Sequence, residues 1–224
     1  ADGVEMVAGA QALLLNMGTV DDEGVDTMLA AGESAMDHDA PIVVDPVGVG
    51  ATSARDDAAR HLVTELDPAV VKGNYGEVTA LAGEAATVQG VESVGEYSDI
   101  ATDAMAVADS TGAVVVASGE TDVVATADRA FEVTAGDEMM GAFVGTGCML
   151  GATAAAFAGS ADDTLEACLA GTLAFGRAGE LAADGEYGEY HGPSSYATAF
   201  LDAVAGLSGA DLPDPETRIT ELGE

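Results

Sequence analysis

The chain has 224 residues, and its 40 acidic residues against six basic ones give a formal net charge of −34 at pH 7. Such a surface repels nucleic acids and anionic membranes, so the charge excludes both as partners. The hydrophobic fraction of 48% and the scattering of the acids through apolar segments exclude a disordered acidic protein and indicate a single folded domain over residues 1–224.

In chain order, apolar periodicity and turn residues predict alternating helices and strands. Helices are expected over residues 2–10, 22–36, 54–65, 75–82 and 99–109, with strands over 11–16, 41–45, 69–72 and 113–117. A hairpin of strands 121–126 and 130–133 follows, then three helices starting at Cys148, near Ala161 and at Pro193, and a last strand near Ile219. This order predicts an α/β domain with a mainly parallel central sheet and a hairpin at the sheet edge.

The termini and the cysteines give further expectations. No apolar run reaches the length of a membrane span and no basic leader precedes an apolar stretch, so we expect a soluble cytoplasmic protein. Cys148 and Cys168 form neither a disulfide framework nor a metal site. Because the chain opens without methionine, directly in a predicted helix, we also expect that a segment upstream of Ala1 is missing. Ser160 and Asp163 have capping-box spacing, which predicts the start of the next-to-last helix.

The run Gly145-Thr146-Gly147-Cys148 predicts a tight turn that opens a buried helix of small residues. Unpaired N–H groups and the positive end of the helix dipole meet at such a turn, which suits a phosphate or a developing anion. Cys148 lies on the first helical turn, where its side chain can face the same spot. A dinucleotide-binding fingerprint is disfavoured, because that fingerprint follows the first strand of a domain and this turn comes late.

Polar residues also follow three predicted strands. Asp45 ends one strand, Lys72 ends the next with Asn74 and Glu77 just after it, and Ser118 ends another. Lys72 is the only lysine in a chain that has few cations, which indicates a specific use for its ammonium group. Ligands bind outside the carboxyl ends of parallel strands, so these residues are expected to meet there.

The residue types at these strand ends suit phosphoryl transfer from a nucleotide. Two carboxylates, at Asp45 and Glu77, suit a hydrated magnesium ion, and a cation with a helix N-terminus suits a transferred phosphoryl group. Either acid alone is more typical of a structural role, as part of a strand-ending turn or as a partner of a helix dipole. Their occurrence together with Lys72 and the glycine turn favours the functional interpretation.

Four motifs resemble those of the hydroxyethylthiazole kinase family, which belongs to the ribokinase-like superfamily and serves thiamine salvage. They are DPVGVGAT at 45–52, VKGNYGE at 71–77, SGE at 118–120 and GTGCML at 145–150. The resemblance implies a three-layer ribokinase-like fold with helices on both faces of the sheet. It also implies ATP- and Mg²⁺-dependent phosphorylation of the hydroxyl of 4-methyl-5-(2-hydroxyethyl)thiazole, by homotrimers with active sites between subunits.

The resemblance also assigns roles to matching positions. Lys72, Asn74 and Ser118 are implied to contact ATP, and Asp45 and Glu77 are implied to be the magnesium-linked acids. Lysine at position 72, where the family often has arginine, keeps the charge but loses the bidentate fork.

The glycine turn matches the family's anion hole. Gly145 and Gly147 are implied to bind the substrate, and Cys148 occupies the place where ribokinase-like sugar kinases carry a base aspartate. Val144 stands where a threonine is usual, so one hydroxyl near the phosphates is absent. The family's thiazole-contacting methionine and an N-terminal asparagine would lie upstream of Ala1.

Two alternatives stay open. One is another ribokinase-like kinase, acting on a hydroxymethylpyrimidine or a sugar, although such kinases usually carry aspartate at the position of Cys148. The other is a protein that binds nucleotide without turnover.

The excess of acids predicts adaptation to high salt and a halophilic source. We expect the melting temperature to rise with added KCl, because repulsion among surface carboxylates is screened within about 3 Å at 1 M salt. Thermal unfolding followed by circular dichroism across a KCl series measures this dependence. A melting temperature that falls as KCl is added would contradict the prediction.

Overall fold

The computed structural model describes residues 2–19, 21–89 and 100–223. Its α-helices are α1 Asp2–Val7, α2 Asp22–Asp37, α3 Ser53–Glu65, α4 Tyr75–Gln89, α5 Ile100–Thr111, α6 Thr146–Ala158, α7 Thr164–Ala183 and α8 Pro193–Gly206. Its strands are β1 Leu13–Asn16, β2 Ile42–Asp45, β3 Val70–Asn74, β4 Val114–Ser118, β5 Asp122–Ala125, β6 Ala130–Val133 and β7 Ile219–Leu222. Short 3₁₀ helices cover Glu138–Ala142, Gly209–Asp211 and Pro215–Thr217. The predicted start of the fifth helix, at Asp99, lies outside the described residues.

The seven strands form one sheet in which spatial order follows chain order. Strands β1 to β4 are parallel, and β5 to β7 continue the sheet with antiparallel pairs. The predicted hairpin therefore lies at one end of the sheet, and β7, the strand expected near Ile219, pairs outside it. The α/β class is confirmed.

Helices cover both faces of the sheet, so the domain has three layers. Alternate residues of each central strand point to opposite faces. Val44 and Val71 pack against a cluster that includes residues of α2 to α5, whereas Val43 and Val70 pack against residues of α6 to α8. The strands β1 to β4 lie side by side in chain order, so the right-handed crossovers typical of parallel strands place α2 to α5 on the same face. Within the described part of the chain, no helix combines the length and apolarity needed to cross a membrane.

The boundary between α6 and α7 differs from the sequence prediction. Helix α7 begins at Thr164 rather than near Ala161, and Asp163 is its N-cap, accepting a hydrogen bond from the Glu166 N–H at 2.9 Å. The capping box predicted for Ser160 and Asp163 is therefore wrong. The Ser160 hydroxyl donates instead to carbonyls in the last turn of α6, which closes that helix. Helix α6 begins two residues before Cys148, at Thr146.

Candidate active site

The carboxyl ends of β1 to β4 bring the predicted polar residues to one edge of the sheet. Asn16 at the end of β1 is in register with Asp45 at the end of β2. Asn74 at the end of β3 is in register with Ser118 at the end of β4. Parallel pairing puts the carboxyl ends of the four strands on one edge of the sheet, where β3 and β4 extend two residues beyond the ends of β1 and β2.

Asp45 is fully buried at the centre of this edge. One carboxylate oxygen accepts a hydrogen bond from the Asn16 amide at 2.7 Å, and the other, Oδ1, has no hydrogen-bond partner. Burial raises the pKa of Asp45 from 3.8 to about 6; the Lys72 ammonium opposes the rise and the Glu77 carboxylate adds to it. Asp45 therefore holds a negative charge at neutral pH with one oxygen available to a cation. Asn16 was not among the predicted site residues, although it ends a strand as Asp45 does.

Lys72 lies beside Asp45, with its Nζ 3.7 Å from Asp45 Oδ1 and its side chain 4% exposed. The first turns of α6 cover this pair. A Cβ built on Gly147 would lie 3.0 Å from Lys72 Nζ, and one built on Gly151 would lie 3.2 Å from Asp45 Oδ2. These two glycines therefore allow the helix N-terminus to approach the ammonium and the carboxylate directly.

Gly145 sets the direction in which α6 leaves the turn. It is the N-cap of the helix and has a φ of 111°, in the left-handed region that favours glycine. The Thr146 hydroxyl donates to the Met140 carbonyl at 2.7 Å, which fixes the turn to the preceding 3₁₀ helix. Cys148 lies on the first turn of α6 and is exposed. The glycine turn thus meets the Asp45–Lys72 pair, as the sequence predicted.

Glu77 joins two loops at the same edge. One oxygen accepts a hydrogen bond from the Gly48 N–H and the other from the Asn74 N–H, both at 2.8 Å. The Asn74 side chain in turn accepts from the Glu77 N–H at 2.9 Å, which completes a capping box at the start of α4. Glu77 therefore orders the loop after β2 and the start of α4, and the roles predicted for it and for Asn74 toward magnesium and ATP stay predictions.

Arg55 is a structural cation that the sequence analysis missed. Its guanidinium donates to the carbonyls of Met17 and Gly18, after β1, and to that of Val47, after β2. The loops after the first two strands are therefore held together by a side chain from α3. A planar group with five donors suits several carbonyls at once.

A cavity of about 560 Å³ adjoins the helix N-terminus. Its lining comes from the turn after β4, the segment before and within the 3₁₀ helix, α6 and α7; it includes Ser118, Gly119, Asp122, Ala135, Gly136, Met140, Thr146, Gly147 and Phe175. Ser118 and Gly147 therefore line the same cavity, and the Lys72 ammonium lies next to Gly147. The segment around Glu138–Ala142 was not predicted, because a single 3₁₀ turn has no clear periodicity.

The cavity wall is acidic. Glu120, Asp122, Asp137 and Glu138 all line it. Asp122 accepts a hydrogen bond from the Gly119 N–H at 3.1 Å, and burial raises the pKa of its carboxyl to about 6. An anionic ligand in this cavity is therefore favoured by Lys72 and by the helix N-terminus, not by a general excess of positive charge.

Most of the chain is similar to one family of small-molecule kinases. The family model described as "Hydroxyethylthiazole kinase family" matches residues 2–209. The hydroxyethylthiazole kinase of Haloquadratum walsbyi is 60% identical over 220 residues, covering 96% of this chain and 76% of the relative. That of Natronomonas pharaonis is 56% identical, covering 97% of this chain and 78% of the relative.

Solved structures agree with these sequence matches. The hydroxyethylthiazole kinase protein of Pyrococcus horikoshii superposes with a TM-score of 0.82 at 29% identity, covering 99% of this chain and 81% of that one. A Staphylococcus aureus pyridoxal kinase in complex with AMP-PCP superposes with a TM-score of 0.59 at 18% identity, covering 79% and 66%. The second likeness shows the ribokinase-like fold alone.

The buried position of Asp45 predicts a pH-dependent stability difference between the wild type and Asp45→Asn. The pKa of Asp45 is higher in the folded chain than in the unfolded one. Between about pH 4 and pH 6, Asp45 therefore stays protonated in the folded chain but has lost its proton in the unfolded chain. The carboxyl's contribution to stability is therefore lost as the pH rises. We expect the free energy of unfolding of Asp45→Asn, relative to that of the wild type, to rise by about 1 kcal/mol from about pH 5 to about pH 8.

Urea unfolding at both pH values, at fixed KCl, measures this difference. Asp26→Asn, at an exposed position of α2, controls for the loss of one negative charge. A free energy of unfolding of Asp45→Asn that stays constant relative to the wild type, or that falls relative to it as the pH rises, would contradict the prediction.

Proposed function

Because the chain belongs to the hydroxyethylthiazole kinase family, we propose that the edge around Asp45, Lys72 and Gly147 transfers the γ-phosphoryl group of ATP to a thiazole alcohol. The acceptor is 4-methyl-5-(2-hydroxyethyl)thiazole, the alcohol whose kinase the relatives are named for. The observation that carries the proposal is the meeting of a buried ammonium, a buried carboxylate with one oxygen that has no hydrogen-bond partner, and a helix N-terminus.

The reaction exchanges one P–O bond for another. The alcohol oxygen bonds to the γ-phosphorus, the bond between this phosphorus and the β,γ-bridging oxygen breaks, and ADP leaves with that oxygen. The alcohol proton is released, and the product is the thiazole phosphate, an intermediate for thiamine salvage. Such transfers depend mainly on positioning and on neutralising charge.

The chain has groups that suit both requirements. The 560 Å³ cavity between Ser118 and Gly147 suits the nucleotide, with its phosphates toward the helix N-terminus. The N–H groups of the first turn of α6 can donate to the transferred group, and the Lys72 ammonium behind Gly147 balances its negative charge. Gly145 and Gly147 leave the backbone of the turn open to substrate.

Magnesium fits the acids at this edge. Among the described residues no group of three or more side chains forms a protein cage for a metal ion. Magnesium in kinases needs no such cage, because it keeps several waters and uses one or two carboxylates with the substrate phosphates. Asp45, through the Oδ1 that has no hydrogen-bond partner, and Glu77 would hold the hydrated ion, which when bound would neutralise charge on the triphosphate.

The function is tested by the release of ADP. In molar KCl with Mg-ATP, the purified chain should release ADP when the thiazole alcohol is added, with stoichiometric formation of its phosphate detected by mass spectrometry. A hydroxymethylpyrimidine and ribose serve as alternative acceptors, since ribokinase-like kinases for such compounds are the nearest rivals. Nucleotide binding without alcohol-dependent ADP release would overturn the assignment.

We expect Lys72 to matter more for turnover than Cys148. Lys72→Met should lower kcat/KM about 100-fold or more, because it removes a buried positive charge from the phosphate site. Lys72→Arg should recover part of this loss, since it restores the charge. Cys148→Ser should stay within about 10-fold of the wild type, whereas loss of a true general base costs about 100-fold or more.

Initial rates at saturating and limiting ATP measure these effects, with melting temperatures to verify folding. A Cys148→Ser variant that binds both substrates normally and has no detectable rate would reverse the ranking of the two residues.

We also propose a homotrimer in which a neighbouring subunit covers the glycine turn. Of the five exposed large apolar side chains among the described residues, Val144 directly precedes this turn, and Leu201 and Val204 lie on α8. Phe143 beside Val144 contacts Phe200 of α8, with ring centroids 6.1 Å apart, so α8 borders the turn. A partner over this surface would also enclose the exposed Cys148.

Light scattering in molar KCl should give three times the chain mass of 22.1 kDa. Val144→Glu combined with Leu201→Glu should dissociate the trimer and lower turnover, because charges would be buried in the interface. Met6→Glu, at an exposed apolar position on α1, is the matched control. A wild-type chain that is monomeric and fully active would contradict the proposal.

A further inference from the structure

We propose that Tyr75 is a positioning residue for the nucleotide, since it fixes the turn of residues 118–121 against the strand that carries Lys72. This inference rests on the proposed function, because it assumes that the 560 Å³ cavity holds ATP. Tyr75 is the first residue of α4 and directly follows β3, which contains Lys72. The turn of residues 118–121 begins at the last residue of the neighbouring strand β4 and contributes Ser118, Gly119 and Glu120 to the cavity lining.

The Tyr75 side chain meets this turn in two ways. Its hydroxyl donates a hydrogen bond to the Thr121 carbonyl. Its ring lies directly against Gly119, where an added Cβ would be 2.5 Å from Tyr75 Cζ and 2.6 Å from Cε1. No real side chain fits at such distances, so glycine at position 119 and tyrosine at position 75 depend on each other.

Two further hydrogen bonds complete the support of the turn. The Ser118 hydroxyl donates to the Gly73 carbonyl of β3 at 3.3 Å, and the Gly119 N–H donates to Asp122 at 3.1 Å. Of these contacts, only the one from Tyr75 reaches the far end of the turn, at Thr121. Without it, the far end of the turn would be held only indirectly, by the pairing of β5 with β4 that begins at Val123.

This arrangement fixes the turn before the nucleotide arrives. A ligand that binds a preformed turn avoids the entropic cost of ordering it, so affinity for that ligand depends on the contacts that hold the turn. The turn lines the nucleotide cavity, whereas Lys72 lies behind Gly147 at the phosphate end. Tyr75 therefore links two parts of one site through the end of β3, and its loss should weaken ATP binding and not the chemical step.

The test compares Tyr75→Phe with Tyr196→Phe. Each change removes one hydroxyl that donates to a backbone carbonyl; for Tyr196 the acceptor is Gly179 in the α7–α8 interface, at 3.0 Å. Tyr75→Phe should raise the KM for ATP about 3- to 10-fold, the range expected for one lost hydrogen bond, with kcat and the KM for the thiazole alcohol unchanged. Tyr196→Phe should lower the melting temperature and leave the KM for ATP unchanged.

Two more variants separate positioning from a general loss of structure. Tyr75→Leu, which loses the ring as well, should raise the KM for ATP further than Tyr75→Phe does. Gly119→Ala should have a similar effect from the other side of the contact, because its methyl group would displace the ring. Equal changes in both KM values, or a fall in kcat alone in Tyr75→Phe, would overturn the inference.

Calorimetric titration with AMP-PCP makes the test independent of turnover. Tyr75→Phe should weaken the Kd of this ATP analogue by the same factor as the KM for ATP. If the wild type binds AMP-PCP but phosphorylates no thiazole alcohol, the proposed function fails and the titration still tests Tyr75. If the wild type is active and Tyr75→Phe binds AMP-PCP as tightly, only the inference about Tyr75 fails.

Discussion

The structure of the candidate site depends on one buried contact, between Asp45 and Lys72 beneath the N-terminus of α6. Burying a carboxylate is costly, and here the cost is seen in the raised pKa of Asp45. The Asn16 amide and the Lys72 ammonium offset part of it, but one carboxylate oxygen has no hydrogen-bond partner. Buried charged groups with perturbed pKa values of this kind are typical of functional sites.

Close approach of α6 is the second requirement, and it explains the small residues of that helix. Gly147 and Gly151 lie one turn apart and face Lys72 and Asp45 respectively. A larger side chain at either position would push the helix away from the strand ends, and its N–H groups could no longer meet the same ligand as the ammonium. The left-handed Gly145 gives the turn its shape. The anion site is thus built from backbone groups and one cation.

Because the net charge of the chain is −34, the attraction of an anionic ligand to this site has to be explained by local groups. The cavity that suits a nucleotide has four acids in its wall, so the general field of the protein opposes an anionic ligand. The attraction must come from local groups: the helix N-terminus, the single lysine and any cation held at Asp45. Arg55 is not available for this purpose, because its guanidinium donates to three backbone carbonyls. High salt would weaken the opposing field while affecting the buried groups much less.

Sequence alone determined the α/β class, the order of the elements and the four stretches that meet at the site, because these depend on local periodicity, glycine turns and residue chemistry. It did not determine the start of α7, the 3₁₀ helix at Glu138–Ala142, or the roles of Asn16, Arg55 and Tyr75. Only the tertiary structure decided that Gly147 faces Lys72 and that Tyr75 supports Gly119. Those contacts join residues dozens of positions apart, and they follow from how α6 and the strand ends pack together, which no local pattern specifies.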